Sequence, residues 1–240
     1  MQILKDWGDI NGGLQFLARY AHVLFGVAWI GLLYFFNFVQ VPAYAELSAG
    51  ARTEAFDKVT WRALWWFRYA ALATFLTGVL MWGVAGGDYA DNKAQLLSIS
   101  WGSILGITMF LNVWGVIWVN QKKNITSMRT EGKPDAAAAK KAGRASRANA
   151  LFSIPMLFFM VFTSHYSTRY ADPSGGKLAA VWILFLVSWA FVEASALGFI
   201  GGLDSWFNKL VFDNHKNTII AGAVYWFVLL ILCWEIIIGS

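Results

Sequence analysis

Six stretches of this 240-residue chain are each long and apolar enough to cross a lipid bilayer as a helix. No other feature limits the fold as strongly. A spanning helix needs about 20 apolar residues, because the hydrocarbon core is roughly 30 Å thick and a helix rises 1.5 Å per residue. The stretches run roughly Leu14–Val41, Leu64–Ala85, Ile99–Asn120, Ala148–Tyr166, Leu178–Leu203 and Thr218–Gly239. Only 14% of the residues are charged and 58% are hydrophobic, where a soluble domain carries roughly 25% charged residues. With no water in the core to bond the backbone, helices are the simplest solution for such runs. The expected fold is an all-α integral membrane protein: one transmembrane domain over residues 1–240, a bundle of about six helices. The fourth apolar stretch is the shortest. The Ala/Lys/Arg stretch before it favours helix and is expected to extend it into water. Pro155 near its start is tolerable as a bend if neighbouring helices satisfy the freed carbonyl. Tryptophans near segment ends (Trp61, Trp65, Trp82, Trp101, Trp206 and Trp234) read as interfacial anchors.

The cations give the orientation. Fourteen of the 19 lysines and arginines follow stretches 1, 3 and 5 or lie just inside stretch 2, at Arg68. Lys5, Arg19, Lys93, Arg169 and Lys177 fall on the other side. The positive-inside rule then places both termini outside, in the periplasm of a bacterial inner (cytoplasmic) membrane. Residues 121–147 read as a basic cytoplasmic loop, satisfying that rule or offering a surface to anionic lipid or a partner. The sequon at Asn124 is expected to be silent there. The net charge of +5 is a topology signal, and no nucleic-acid partner is expected. The N-terminus lacks the pattern of a cleavable signal peptide. The single cysteine, Cys233, excludes a disulfide framework and a CxxCH haem attachment within the chain. There is no phosphate-binding loop, dinucleotide fingerprint or internal repeat.

Ionisable groups inside spanning helices are costly and point to function. Here they are Arg19, His22, Arg68, His165, Glu193 and Glu235. His22 lies eight residues past Leu14, on the order of 12 Å below the outer end of helix 1. His165 lies near the outer end of helix 4, at a compatible depth. Two histidines on different helices at one depth suit a six-coordinate b-type haem, each giving a neutral nitrogen to the iron. Arg19, one turn above His22 on the same face, is placed to pair with a propionate. Gly26, Gly31 and Trp29 leave room for a flat macrocycle. Glu235, near the outer end of helix 6, makes a non-haem metal at His22, His165 and Glu235 the competing reading. Glu193 is placed near the midplane of helix 5, as a proton relay or a paired polar group. His215, in the loop before helix 6, reads as solvated, and Arg68 as able to snorkel to the inner interface. A third reading of both histidines is structural, as interhelical or interfacial groups.

"RYAHVLFGVAWIGLLYFFNFVQ", "ALWWFRYAALATFLTGVL", "MFLNVWGVIWVNQKK" and "SRANALFSIPMLFFMVFTSHY" resemble the membrane domain of the membrane-bound, cytochrome-c-linked urate hydroxylases, the urate oxidase N-terminal region. The agreement is good from about Leu14 to Tyr166 and less specific beyond. The His22-x6-Trp29-x-Gly31 spacing also resembles the first helix of the membrane haem-dependent protoporphyrinogen oxidases and the copper-resistance D proteins. In the former the matching histidine is a haem ligand, which implies that role for His22. The resemblance implies an oxidoreductase with a cytochrome c domain after the last helix. This chain ends at Ser240 without a CxxCH motif, so the expectation is a separate cytochrome c partner. The substrate is not legible, since no site is recognisable as binding a purine. The alternatives are a non-catalytic accessory subunit of a larger respiratory or photosynthetic complex, and a metal-binding or transport protein.

Overall fold

A computed structural model describes residues 12–85 and 88–240. The described residues form six long helices, each apolar enough to cross a membrane, and one short one. The long helices are α1 (Gly13–Glu46), α2 (Ala49–Gly83), α3 (Lys93–Glu131), α4 (Ala136–His165), α5 (Gly175–Ala196) and α7 (His215–Ile238). The short α6 is Trp206–Phe212. There is no strand among the described residues.

The helix ends follow local chemistry. Asn92 caps α3 by accepting from the Gln95 amide at 2.7 Å, and Asp135 caps α4 through Ala138 at 3.0 Å. Side-chain caps of this kind satisfy amides that have no partner within the helix. Gly132 closes α3 with a φ of +69°, a left-handed conformation open to glycine without strain. Several helices loosen locally into π-helical stretches, at Phe35–Gln40, Phe56–Thr60, Asn112–Ile117 and Leu229–Ile238.

The basic stretch 121–147 is mostly helical, and its Ala/Lys/Arg part extends the fourth span as expected. α3 continues to Glu131, and α4 begins at Ala136. Polarity marks where a chain leaves lipid, not where its helix stops, and this stretch is rich in good helix formers. α4 is also the most enclosed span: 61% of its apolar window is buried, against 22–39% for the others. Ala138, Ala142, Ala145 and Ala148 form a buried stripe of small side chains along it, which lets neighbouring helices approach closely. α3 and α7 pack on α4, while α1 packs along α2.

α5 ends at Ala196, not near Leu203, because Gly198, Gly201 and Gly202 turn the chain with positive φ. Glu193 therefore sits in the last turn of α5, at the basic end of the bundle, not at mid-helix. Asn112 Nδ2 donates to Glu193 Oε2 at 3.2 Å and to Asn149 Oδ1 at 3.0 Å, joining α3, α4 and α5. The tryptophans also divide. Trp206 and Trp65 are exposed, as anchors should be. Trp101 and Trp234 are fully buried, meeting each other and Phe159 within one aromatic cluster.

Candidate functional site

α1 and α4 run antiparallel, and two side-chain bonds fix their register. Asn37 Nδ2 donates to Ser146 Oγ at 2.8 Å, and the Tyr34 and Ser153 hydroxyls lie 2.8 Å apart. From Tyr34, twelve residues back along α1 lead to His22. From Ser153, twelve residues forward along α4 lead to His165. Each path is about 18 Å of helix. The two histidines therefore stand at the same level of the bundle.

Below that level is a cavity of about 500 Å³ between α1, α2, α3 and α4. Such a volume suits a cofactor-sized ligand. His22, Gly26, Trp29 and Tyr34 line it from α1, Thr74, Gly78 and Trp82 from α2, Ser103 and Gly106 from α3, and Met156, Met160 and Val161 from α4. The Trp82 indole donates to Ser103 Oγ at 3.0 Å, linking α2 to α3. Val27, Val79, Ile107 and Val161 line the cavity and are also exposed on the apolar surface, so the cavity opens sideways between helices. Trp29 is 3% exposed, and its indole nitrogen has no hydrogen-bond partner. A buried donor left without a partner costs stability.

His22 is the polar centre of this cavity. Its Nδ1 lies 2.9 Å from the Thr74 carbonyl oxygen and 3.2 Å from Thr77 Oγ1. A carbonyl can only accept. Thr77 places its own proton on the Ala73 carbonyl at 2.7 Å, so its oxygen also offers a lone pair. Nδ1 therefore carries the proton, and Nε2 keeps its lone pair with no protein partner among the described residues. A second-sphere carbonyl on one ring nitrogen fixes the tautomer and orientation of a metal-binding histidine in this way.

His165 shows the same tautomer by a shorter route. Its Nδ1 donates to the Val161 carbonyl of its own helix at 2.9 Å, leaving Nε2 free of protein partners among the described residues. The side chain is exposed and does not line the cavity, although Val161, one turn below, does. Arg19 is also exposed, one turn from His22 and outside the lining, and forms no ion pair among the described residues.

Glu235 takes no part in the site. Its Oε1 accepts from the Tyr170 hydroxyl at 2.6 Å. Burial, and then the Glu235 carboxyl beside it, push the Tyr170 phenol above its ordinary pKa. Among the described residues no group of three or more His, Cys, Asp or Glu side chains could hold a metal ion. The three-ligand non-haem site at His22, His165 and Glu235 is thus not assembled: Glu235 rides on α7, turned to the α4–α5 connection. His215 begins α7 at the basic end, its ring 6.4 Å from that of Phe38.

Sequence reasoning missed Thr74, Thr77 and Gly78. Their spacing of three and four residues puts them on one face of α2, a small and polar patch within an apolar helix. That patch was the available signal.

A family model described as urate oxidase N-terminal matches residues 88–233, more than half of the chain. The chain belongs to the urate oxidase N-terminal family. No curated protein and no solved structure matches it. In this family member the matched stretch runs from just before α3 into the last turns of α7. It includes His165, Met160 and Ser103 but neither α1 nor α2, which supply His22 and its hydrogen-bond partners.

Proposed function

We propose that this urate oxidase N-terminal family member is a membrane redox protein holding haem b between His22 and His165. It exchanges electrons with a separate cytochrome c on the side of the membrane where these histidines lie, the periplasmic face of a bacterial inner membrane. One observation carries the reading. Both imidazoles commit Nδ1–H to a carbonyl at the same level of the bundle, and both keep Nε2 open.

The cavity and His22 fit the group. His22 Nε2 offers a neutral donor at a cavity of suitable size. His165, at the same level on α4 but exposed and outside the lining, would hold the iron from the other side of the pair. A bound haem supplies one-electron exchange between ferric and ferrous iron. The chain's own residues do the rest. The Thr74 carbonyl orients His22 and raises the basicity of Nε2. The apolar lining excludes water, and Arg19, one turn from His22, would balance a propionate of a bound haem. The same lining argues against a purine in this cavity. A purine buried there would need several polar partners, and the lining is mostly apolar, with its few polar side chains, His22, Tyr34, Thr74, Trp82 and Ser103, already engaged with protein at one atom or more.

The test is an oxidised-minus-reduced spectrum and a pyridine haemochrome assay on protein purified in detergent. The wild type is expected to carry haem b, His22→Ala to lose it, and His165→Ala to show altered iron ligation. Wild type without haem, or haem indifferent to both substitutions, refutes the proposal.

A further inference from the structure

Arg68 lies on α2 toward the basic end, and its guanidinium is packed against aromatic rings. Its Cζ stands 3.8 Å from the ring centroid of Trp118, 5.0 Å from Tyr69 and 5.9 Å from Trp114. Its Nε is buried without a hydrogen-bond partner. The neighbouring arginines of this end all find an oxygen: Arg62 the Lys58 carbonyl, Arg129 the Asp57 carboxylate, Arg144 the Asp213 carboxylate, Arg147 the Phe212 carbonyl. Arg68 makes no hydrogen bond and no ion pair among the described residues.

A cation inside a spanning helix needs a counter-charge, because hydrocarbon does not solvate it. Ring faces offset part of that cost and hold the guanidinium in one plane. They leave its N–H edge unsatisfied. Beside it, Arg62, Trp65, Trp66 and Tyr69 recur at helical spacing and are all exposed, forming one lipid-facing stripe with a cation at the basic end and aromatic rings above it. An anion reaching Arg68 from that stripe arrives with the lipid. A phosphodiester matches the planar fork of the guanidinium bidentately, and the end of the bundle that holds 14 of the 19 cations favours a negatively charged headgroup.

We propose that Arg68, framed by Trp118, Trp114 and Tyr69, is a binding site for the phosphate of an anionic phospholipid. The test is native mass spectrometry of the detergent-solubilised full chain, titrated with phosphatidylglycerol, phosphatidylcholine or inorganic phosphate. Wild type is expected to retain phosphatidylglycerol in preference to phosphatidylcholine, with no displacement by inorganic phosphate. Arg68→Gln is expected to weaken retention about tenfold, the scale of one lost charge-assisted bond. Arg68→Lys, which keeps the charge but not the fork, is expected to fall between them. Arg62→Gln, on the same stripe, serves as the comparison and is expected to change retention less. Equal retention by wild type and Arg68→Gln overturns the proposal. So does retention indifferent to headgroup charge, or displacement by inorganic phosphate. A melting curve for each variant separates lost binding from lost fold, and Arg68→Lys carries the test if Arg68→Gln fails to fold.

Discussion

Replacing Gly78 by alanine separates the orientation of His22 from the stability of the bundle. The Thr74 carbonyl that holds His22 also accepts the amide of residue 78 within α2, as every helical carbonyl does four residues on. The imidazole must therefore approach over Gly78. A Cβ there would stand 3.2 Å from His22 Cε1 and 3.5 Å from Nδ1. Carbon atoms in contact prefer about 3.5–4.0 Å, so the ring must yield by roughly 0.3–0.8 Å. That stretches a bond of 2.9 Å to or beyond the useful limit of about 3.2 Å. Losing it costs about 0.5–1.5 kcal/mol. Alanine returns about 0.8–1 kcal/mol through its helix propensity. The two nearly cancel in stability but not at the site, where loss of a second-sphere bond typically weakens a metal ligand 10–100-fold. Gly78→Ala should thus melt within about 1 kcal/mol of wild type in detergent while its haem content falls sharply. Gly143→Ala, where a Cβ meets nothing within 4 Å, should keep its haem and gain about 0.8–1 kcal/mol. Full haem with an unchanged spectrum in Gly78→Ala would show that His22 does not depend on the Thr74 carbonyl. Haem loss only in proportion to unfolding would refute the argument equally.

Three further outcomes rest on the bundle itself. Arg144 is 4% exposed and ties α4 to the Asn208 carbonyl at 3.0 Å and the Asp213 carboxylate at 2.5 Å; Arg144→Ala should destabilise by about 2–4 kcal/mol in equilibrium unfolding from detergent, leaving the cavity unchanged. A Cβ on Gly222 would meet Ile154 Cδ1 at 2.8 Å and the Leu151 carbonyl oxygen at 2.9 Å, so Gly222→Ala should force α7 off α4 and cost about 1–3 kcal/mol by the same measurement. Burial first, and Glu235 second, raise the pKa of Tyr170 above that of a free phenol; its contribution to stability is complete below the free-phenol pKa of about 10 and is lost as pH rises above it, so the melting temperature should fall in that alkaline range for wild type and fall less for Tyr170→Phe.

The six spans were legible because length and hydropathy are properties of the chain alone. Their ends were less so. The extension of α4 was legible from the helix propensity of its Ala/Lys/Arg stretch, but that of α3 to Glu131 was not, because hydropathy stops where its helix continues. The early end of α5 depends on glycine turns, and it moved Glu193 from mid-helix to the basic end. The fully buried Trp101 and Trp234 show the converse limit. An indole near the end of a span reads as an anchor, yet its neighbours across the bundle decide whether it faces lipid or core.

The site divides along the same line. The common level of His22 and His165 was legible because their depth follows from residue counting. Their orientation was not, because it depends on which helix lies alongside. For His165 the partner is its own Val161 carbonyl, which any helix supplies at four residues' distance, and that local bond leaves the ring outside the cavity. For His22 the partner is on α2, and the approach requires Thr74, Thr77 and Gly78 together. The unequal anchoring has a consequence. Two acceptors from another helix hold His22, whereas one acceptor of its own helix holds His165. If both bind one iron, His22 is the preorganised ligand and His165 the one that must move. Substituting His165 should then change ligation at the iron before it empties the site, while substituting His22 should empty it.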